Sequence, residues 1–129
     1  MQYLYYFANT SLVLRLLTYL SKRVAINLDA VTVIYLVDRW VVRIQLKEPL
    51  TLQTDLNFIS VLRENGSPYE PSKQILKVLK SLDSGMSITD VMNLHHLVVV
   101  SHGGLSPGDI QDFRTMFVRG LGYCPPSLV

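Results

Sequence analysis

The strongest constraint on the fold of this chain is the stretch of residues 97–107, in which an apolar run passes directly into a glycine-rich loop. The valines at 98–100 favour a buried strand, because β-branched side chains are stiff and pack well on a sheet. The Ser-His-Gly-Gly run at 101–104 then favours a tight, exposed turn, and glycines let a ligand approach the backbone closely. This loop is therefore the first place to look for function.

Length and composition limit the number of domains and the kinds of partner. The 129 residues suffice for one domain, or for two small lobes that share a core. Apolar residues make up 49% of the chain, which suggests that a partner covers part of the apolar surface. The 12 basic and 10 acidic residues give a formal charge of only +2, so any contact with RNA has to depend on local clusters.

Two classes of protein are disfavoured at once. The single cysteine, Cys124, excludes an intramolecular disulfide and a zinc site built from cysteines, and it fits a reducing compartment. The apolar N-terminal stretch lacks a basic leader and is interrupted by Arg15, so we expect neither a signal peptide nor a transmembrane helix.

Hydrophobic periodicity predicts alternating elements in the first part of the chain. Residues 2–8 favour a strand or a lead-in to a helix, residues 10–23 a helix and residues 24–28 a short strand. Residues 30–37 fit two structures: their β-branched content favours a strand, and a cap at Asp29 with helical spacing favours a helix. Composition favours the strand.

The next two elements are predicted from alternation and spacing. Apolar and polar residues alternate over 40–47, which predicts a half-exposed strand whose basic outer face carries Arg43, Gln45 and Lys47. After the connection at Pro49, the apolar residues at 56–62 suggest a short helix or strand that ends at residues 65–66.

A Ser-Pro-Tyr-Glu-Pro run at 67–71 is the best candidate for a boundary between two lobes, residues 1–66 and residues 67–129. Ser72 then caps a helix, in which Lys73, Lys77 and Lys80 occupy positions i, i+4 and i+7. These lysines form a basic stripe, which suits either a solvated helix face or contact with phosphates. The apolar side of the same helix is formed by Ile75, Leu76, Val78, Leu79 and Leu82.

Two further helices are predicted in the C-terminal half. A short one lies within residues 86–94 and is capped by Ser87 or Thr89. Another begins at residues 107–109 and is stopped by the glycines at 120–122.

Three histidines lie close together, at His95, His96 and His102, so a metal-dependent hydrolase is one alternative function. Their spacing does not match the pattern of ligands on one helix face, and no set of carboxylates accompanies them. The His-Gly-Gly run at 102–104 resembles one metal-binding motif of serine/threonine phosphoprotein phosphatases, but the other motifs of those enzymes are absent. Nucleophile-elbow, phosphate-loop and dinucleotide motifs are absent too, so we expect no catalytic residue, no metal and no cofactor.

The order of motifs in the second half resembles the bacterial-type small-subunit ribosomal protein eight family. A Gly-Ser-Pro-Tyr segment at 66–69 leads to the lysine-rich stretch at 73–85. The valine strand and the Ser-His-Gly-Gly-Leu-Ser loop at 101–106 come next, and Gly120, Gly122 and Cys124 follow. In that family the loop reads Ser-Thr-Ser-Lys-Gly, so Ser101 matches and His102 stands at the threonine position.

The resemblance implies an α+β fold of two small lobes, an N-terminal helix-strand-helix-strand unit and a C-terminal mixed lobe carrying the strand and loop. In this arrangement residues 29–37 form the second helix, against the preference from composition. It also implies a non-catalytic structural protein that binds the central domain of small-subunit rRNA beside neighbouring ribosomal proteins, with no membrane or small-molecule substrate. The departures from the family pattern, in the loop and in the charge, imply a member in a mitochondrial ribosome, with the cytoplasm as the alternative location.

The resemblance and the lysine spacing together give a set of expected RNA contacts. Hydroxyls and backbone donors of the loop would meet ribose and phosphate, and the lysines would neutralise phosphates. An alternative function is a small α/β interaction subunit of a complex that contains no nucleic acid. The expected RNA contacts are Ser101, His102, Gly103, Gly104, Ser106, Lys73, Lys77 and Lys80, with Arg114 and Arg119 as further candidates.

Overall fold

The computed structural model describes residues 2–22, 27–36, 39–102 and Thr115. The described strands form one sheet in the order β4-β1-β3-β2-β5, and all neighbouring pairs in it are antiparallel. The expected α+β class is thus confirmed. The elements in chain order are β1 (Gln2–Phe7), α1 (Thr10–Ser21), β2 (Leu28–Leu36), β3 (Arg39–Leu46), α2 (Leu52–Asn65), β4 (Ser67–Pro68), α3 (Lys73–Asp83), α4 (Ile88–His95) and β5 (Val98–His102).

The first six elements follow the order β-α-β-β-α-β, with β3 between β1 and β2. This strand order is the split β-α-β, or ferredoxin-like, arrangement. The strand β5 then extends the sheet beside β2, after α3 and α4. Strands from before and after residue 66 therefore share one sheet.

One face of the sheet is covered by α1 and α2. Because successive side chains of a strand point to opposite faces, alternate residues of β1, β2 and β3 meet these helices. Phe58 of α2 lies in this core and stacks edge-on against Tyr3 at 4.9 Å between ring centroids. The buried residues of this core are Tyr5, Phe7, Val13, Leu16, Leu17, Leu20, Val31, Val33, Trp40, Val42, Ile44, Leu46, Phe58 and Leu62.

The opposite face is covered by α3 and α4. Its core is smaller and uses the other side chains of the same strands. Both faces of β2 and β3 are thus buried by helices. The buried residues of this second core are Ile34, Val41, Ile75, Val78, Leu79, Val91 and Val99.

Helix caps account for most of the helix starts. Asn9, Ser72 and Ser87 each accept a hydrogen bond from the backbone N–H three residues further on, which satisfies one of the unpaired donors of the first turn. The predicted helices at 10–23 and after Ser72 are confirmed over the described residues, and Ser87 is the cap of α4. Residues 56–65, for which the sequence allowed either a helix or a strand, belong to helix α2, whose cap is Thr51.

The resemblance was wrong about residues 29–37, because Leu28–Leu36 form a strand and not a helix. The implied helix-strand-helix-strand unit is wrong for the same reason, since the N-terminal part runs strand, helix, strand, strand, helix. Tertiary pairing explains the outcome: β2 lies between β3 and β5, and its β-branched residues suit a strand that is buried on both faces. Residues 24–26 of the strand predicted at 24–28 lie outside the described residues, as does the helix predicted from 107–109 to 120–122 apart from Thr115.

Two predictions about which side chains are exposed and which are buried are also wrong. Residue Arg43 does not lie on a solvated strand face, because helices cover both sides of β3 and its side chain is 4% exposed. Leu76 is 42% exposed and does not belong to the buried side of α3. Within the ranges described, none of the helices has the length and apolar character needed to cross a membrane.

Gly66 is expected to tolerate no side chain. A Cβ added there would lie 2.5 Å from the carbonyl oxygen of Tyr6 and 2.8 Å from the ring of Phe7. We predict that Gly66→Ala lowers the free energy of unfolding, measured by urea denaturation, by about 1 to 3 kcal/mol.

Gly85 provides the control, because it has a φ of 94° and open space around its Cβ position. Every L side chain is strained at this φ and asparagine least of all, so Gly85→Asn should cost less than Gly85→Ala. At Gly66 the larger asparagine should cost more than alanine, because the loss there comes from a clash. The same order of losses at both positions would contradict this assignment of the clash at Gly66.

Tyr3 makes the free energy of unfolding depend on pH in the alkaline range. Its hydroxyl donates to Asp55 Oδ1 at 2.6 Å, and burial together with this bond raises its pKa to about 12 from 10.0. Stability from this group is complete below pH 10 and is lost as pH rises from 10 to 12, because only the unfolded chain then ionises easily. Unfolding free energies across this window should fall more steeply for the wild type than for Tyr3→Phe. Parallel curves would contradict the prediction.

Candidate nucleic-acid interface

The outer side of α3 carries a set of free cations. Burial of Ile75, Val78 and Leu79 fixes which way the helix faces. Lys73, Lys77 and Lys80 are consequently exposed. Within the part of the chain that the structure describes, none of these three lysines forms an ion pair. We call Lys73, Lys77 and Lys80 the lysine face.

An ion pair fixes the end of α3 to the sheet. Arg43 Nη1 lies 3.0 Å from Asp83 Oδ1 and 3.1 Å from Oδ2. The arginine is buried, whereas the aspartate side chain is 55% exposed. Arg43 Nε is buried and has no hydrogen-bond partner among the described residues. The guanidinium therefore depends on Asp83, and the only acidic residue within α3 is taken up by this pair.

The two flanks of α3 face different neighbours. Gln74 Nε2 donates to the carbonyl oxygen of His95 at 3.3 Å, so this flank faces α4. Asp83 lies nine residues later, on the opposite side of the helix. Leu76 is two turns before Asp83 and shares its flank, away from α4.

An aromatic contact lies near the start of α3. The rings of Tyr6 and Tyr69 meet edge-on, with centroids 6.2 Å apart. The guanidinium carbon of Arg39 lies 4.8 Å from the centroid of the Tyr6 ring, within the range of a cation–π contact. Tyr69 is held in place because its backbone N–H donates to the carbonyl oxygen of Leu4 at 3.0 Å. We call Tyr6, Arg39 and Tyr69 the tyrosine stack.

The tyrosine stack lies where the helical layer stops. On this face of the sheet, Ile34 of β2 and Val41 of β3 are at most 1% exposed. Leu4 and Tyr6 of β1 are only partly buried. The layer of α3 and α4 thus covers the sheet towards β5 and leaves β1 half open, beside the flank that carries Leu76.

The turn predicted at 101–104 does not begin at Ser101, because Ser101 and His102 belong to strand β5. Ser101 and His102 end β5, where they pair with Thr32 and Val31. Thr32 also pairs with Arg43, so Ser101 lies in the same row of the sheet as the anchor of α3. Other predicted contacts lie outside the described residues, namely Gly103, Gly104, Ser106, Arg114 and Arg119.

The histidines do not form a metal centre in the described structure. His95 ends α4, and His96 follows in the left-handed conformation with a φ of 57°. Across residues 2–22, 27–36 and 39–102, no three His, Cys, Asp or Glu side chains are grouped to hold a metal ion.

Sequence reasoning missed the tyrosine stack. Its members come from β1, from β3 and from the segment after β4, so no spacing along the chain connects them. The one available signal was the run of tyrosines in β1, in which alternation places Tyr5 and Tyr6 on opposite faces.

The Arg43–Asp83 pair can be tested by a double-mutant cycle. Asp83→Asn leaves a buried guanidinium without its carboxylate, and we expect a loss of about 1 to 3 kcal/mol in unfolding free energy. Arg43→Met removes the buried charge, so Asp83→Asn should be nearly neutral in that background. Additive losses in thermal or urea unfolding would contradict the pairing.

Comparisons with protein-family models, with curated proteins and with solved structures found no match for this chain.

Proposed function

We propose that the protein is a non-catalytic RNA-binding constituent of a ribonucleoprotein particle, the small ribosomal subunit. The lysine face is the observation that carries this proposal. Three ammonium groups on one exposed helix face, with no ion pair among the described residues, provide a cationic surface on a chain of low overall charge.

The local charge balance supports an anionic partner. From Tyr69 to Leu82 the single acidic residue is Glu70, against the three lysines. Lys73 and Lys80 are about 10 Å apart along the axis, given a rise of about 1.5 Å per residue. A rigid row of cations of this length suits a phosphate backbone, which presents regularly spaced negative charges.

The resemblance of residues 66–124 supplies the identity of the RNA, the central domain of small-subunit rRNA. The strand at Leu28–Leu36 departs from the helix that the resemblance implies. The proposal of RNA binding accordingly depends on the lysine face, and the ribosomal assignment depends on the motif order.

A particle also explains an apolar feature of α2. Leu52 is 76% exposed and Leu56 is 55% exposed, and the two lie one turn apart on the same side of the helix. Exposed leucines in adjacent positions favour contact with a neighbouring protein. This surface lies on the α1–α2 side of the sheet, so protein and RNA would be bound on opposite sides.

Salt dependence tests the lysine face directly. Log affinity falls as log salt concentration rises, and each lost phosphate contact makes this slope less steep by about 0.7 to 0.9. Replacing all three lysines by glutamine should therefore reduce the absolute slope by about 2 to 3. The measurement is fluorescence anisotropy with a labelled fragment of the central rRNA domain over a series of salt concentrations.

The matched control is Lys22→Gln, Lys47→Gln and Arg63→Gln, which removes three exposed cations from other parts of the surface. This variant should keep the wild-type slope. Equal slopes for both triple variants, or no RNA binding by the wild type, would overturn the proposal. Cosedimentation with mitochondrial or cytoplasmic small ribosomal subunits tests the identity of the particle.

A further inference from the structure

We propose that the surface between α3 and β1 is a binding site for unpaired RNA nucleotides, with Tyr69 as the platform on which a base stacks. The site consists of the tyrosine stack, Leu76 and the adjoining lysine face. The inference rests on the proposed function and adds to it the kind of RNA that is bound.

The chemistry of this surface matches a single strand. Aromatic rings that stack on bases, next to cations that follow the backbone, are the usual components of single-strand binding sites. Tyr69 is partly exposed and lies four residues before Lys73, a separation of at most about 14 Å along the chain. A base on Tyr69 and phosphates along the lysine face can therefore be reached by one strand.

The site is held in place before any ligand binds. The backbone of Tyr69 is hydrogen-bonded to Leu4, its ring contacts Tyr6, and Tyr6 is in turn covered by the guanidinium of Arg39. A ring that is already fixed loses little side-chain freedom on binding, which favours affinity.

Helices cover the rest of the described sheet, so little of it is left for another stacking surface. Helices α1 and α2 cover one face, and α3 and α4 cover the other over β2 and β3. The half-open region at β1 carries Tyr6, and Tyr69 beside it leads into α3 and its lysine face. Leu76, at 42% exposure on this flank, extends the apolar surface available to a base.

The charges of the region indicate which nearby residue opposes binding. Asp83 is paired with Arg43, so its carboxylate is largely compensated. Glu70 is exposed, directly follows Tyr69 and has no partner among the described residues. Among the described residues it is the carboxylate next in sequence to Tyr69, and we expect it to repel a phosphate at this site.

The test compares a single-stranded RNA with a hairpin duplex of the same composition, by anisotropy at one salt concentration. Tyr69→Leu should weaken single-strand binding by roughly 5- to 150-fold, the range for loss of one stacked base. Duplex binding should change little, because duplexes contact only the lysine face. Tyr69→Phe keeps the ring and should bind like the wild type.

A second pair of variants avoids the partly buried tyrosine. Glu70→Gln should raise single-strand affinity by roughly 1.5- to 5-fold at low salt, the effect of one exposed charge. Asp90→Asn removes an exposed carboxylate from α4 and should have no effect.

The outcomes separate this inference from the proposed function. If Tyr69→Leu and Glu70→Gln leave single-strand binding unchanged while the lysine variant still loses salt dependence, the base site is wrong and the RNA-binding function stands. Equal losses on single strand and duplex also overturn the base site. If the wild type binds neither RNA, the proposed function itself fails.

Discussion

The described fold depends on one central strand that has to serve two cores at once. β3 is hydrogen-bonded on both sides, to β1 and to β2, and its alternate residues face different helical layers. Val42 and Ile44 belong to the α1–α2 side, and Val41 belongs to the α3–α4 side. The middle of such a strand has no solvated face, so the charge of Arg43 is buried beneath the helix above it.

The ion pair between Arg43 and Asp83 follows directly from this constraint. A charged side chain at a two-sided position needs a partner, since an unpaired buried guanidinium is strongly unfavourable. Asp83 at the end of α3 supplies the carboxylate, and this sets where α3 lies across the sheet. The lysine face points outwards because the opposite side of the same helix is held by Ile75, Val78 and Leu79.

Local signals predicted the local structure well. The sequence predicted Ser72 as a cap and Ser87 as one of two candidates beside Thr89, because capping depends on a residue and its immediate neighbours. The strand at 28–36 and the burial of Arg43 depend on long-range pairing, which periodicity does not contain. Alternation over 40–47 was correctly interpreted as a strand, but polar residues on one face suggested solvent when the actual neighbour was a helix 40 residues away in sequence.

The candidate site also has one part that local sequence predicts and one part that depends on long-range pairing. The lysines share one helix, so their common face was predictable from spacing alone. The tyrosine stack joins three elements and appears only when β1, β3 and the segment after β4 are brought together. Resemblance to a family supplied a possible RNA but implied a helix where the structure has β2, because motif order along the chain does not determine strand pairing.

The very short strand β4 has a consequence for how the protein behaves in solution. Pro68 pairs with Tyr5 at this border of the sheet and is exposed. Proline has no N–H to donate, so another chain cannot readily add a strand here. This border of the sheet, beside Tyr6, is therefore disfavoured for fibril-like stacking and for strand exchange between copies of the chain.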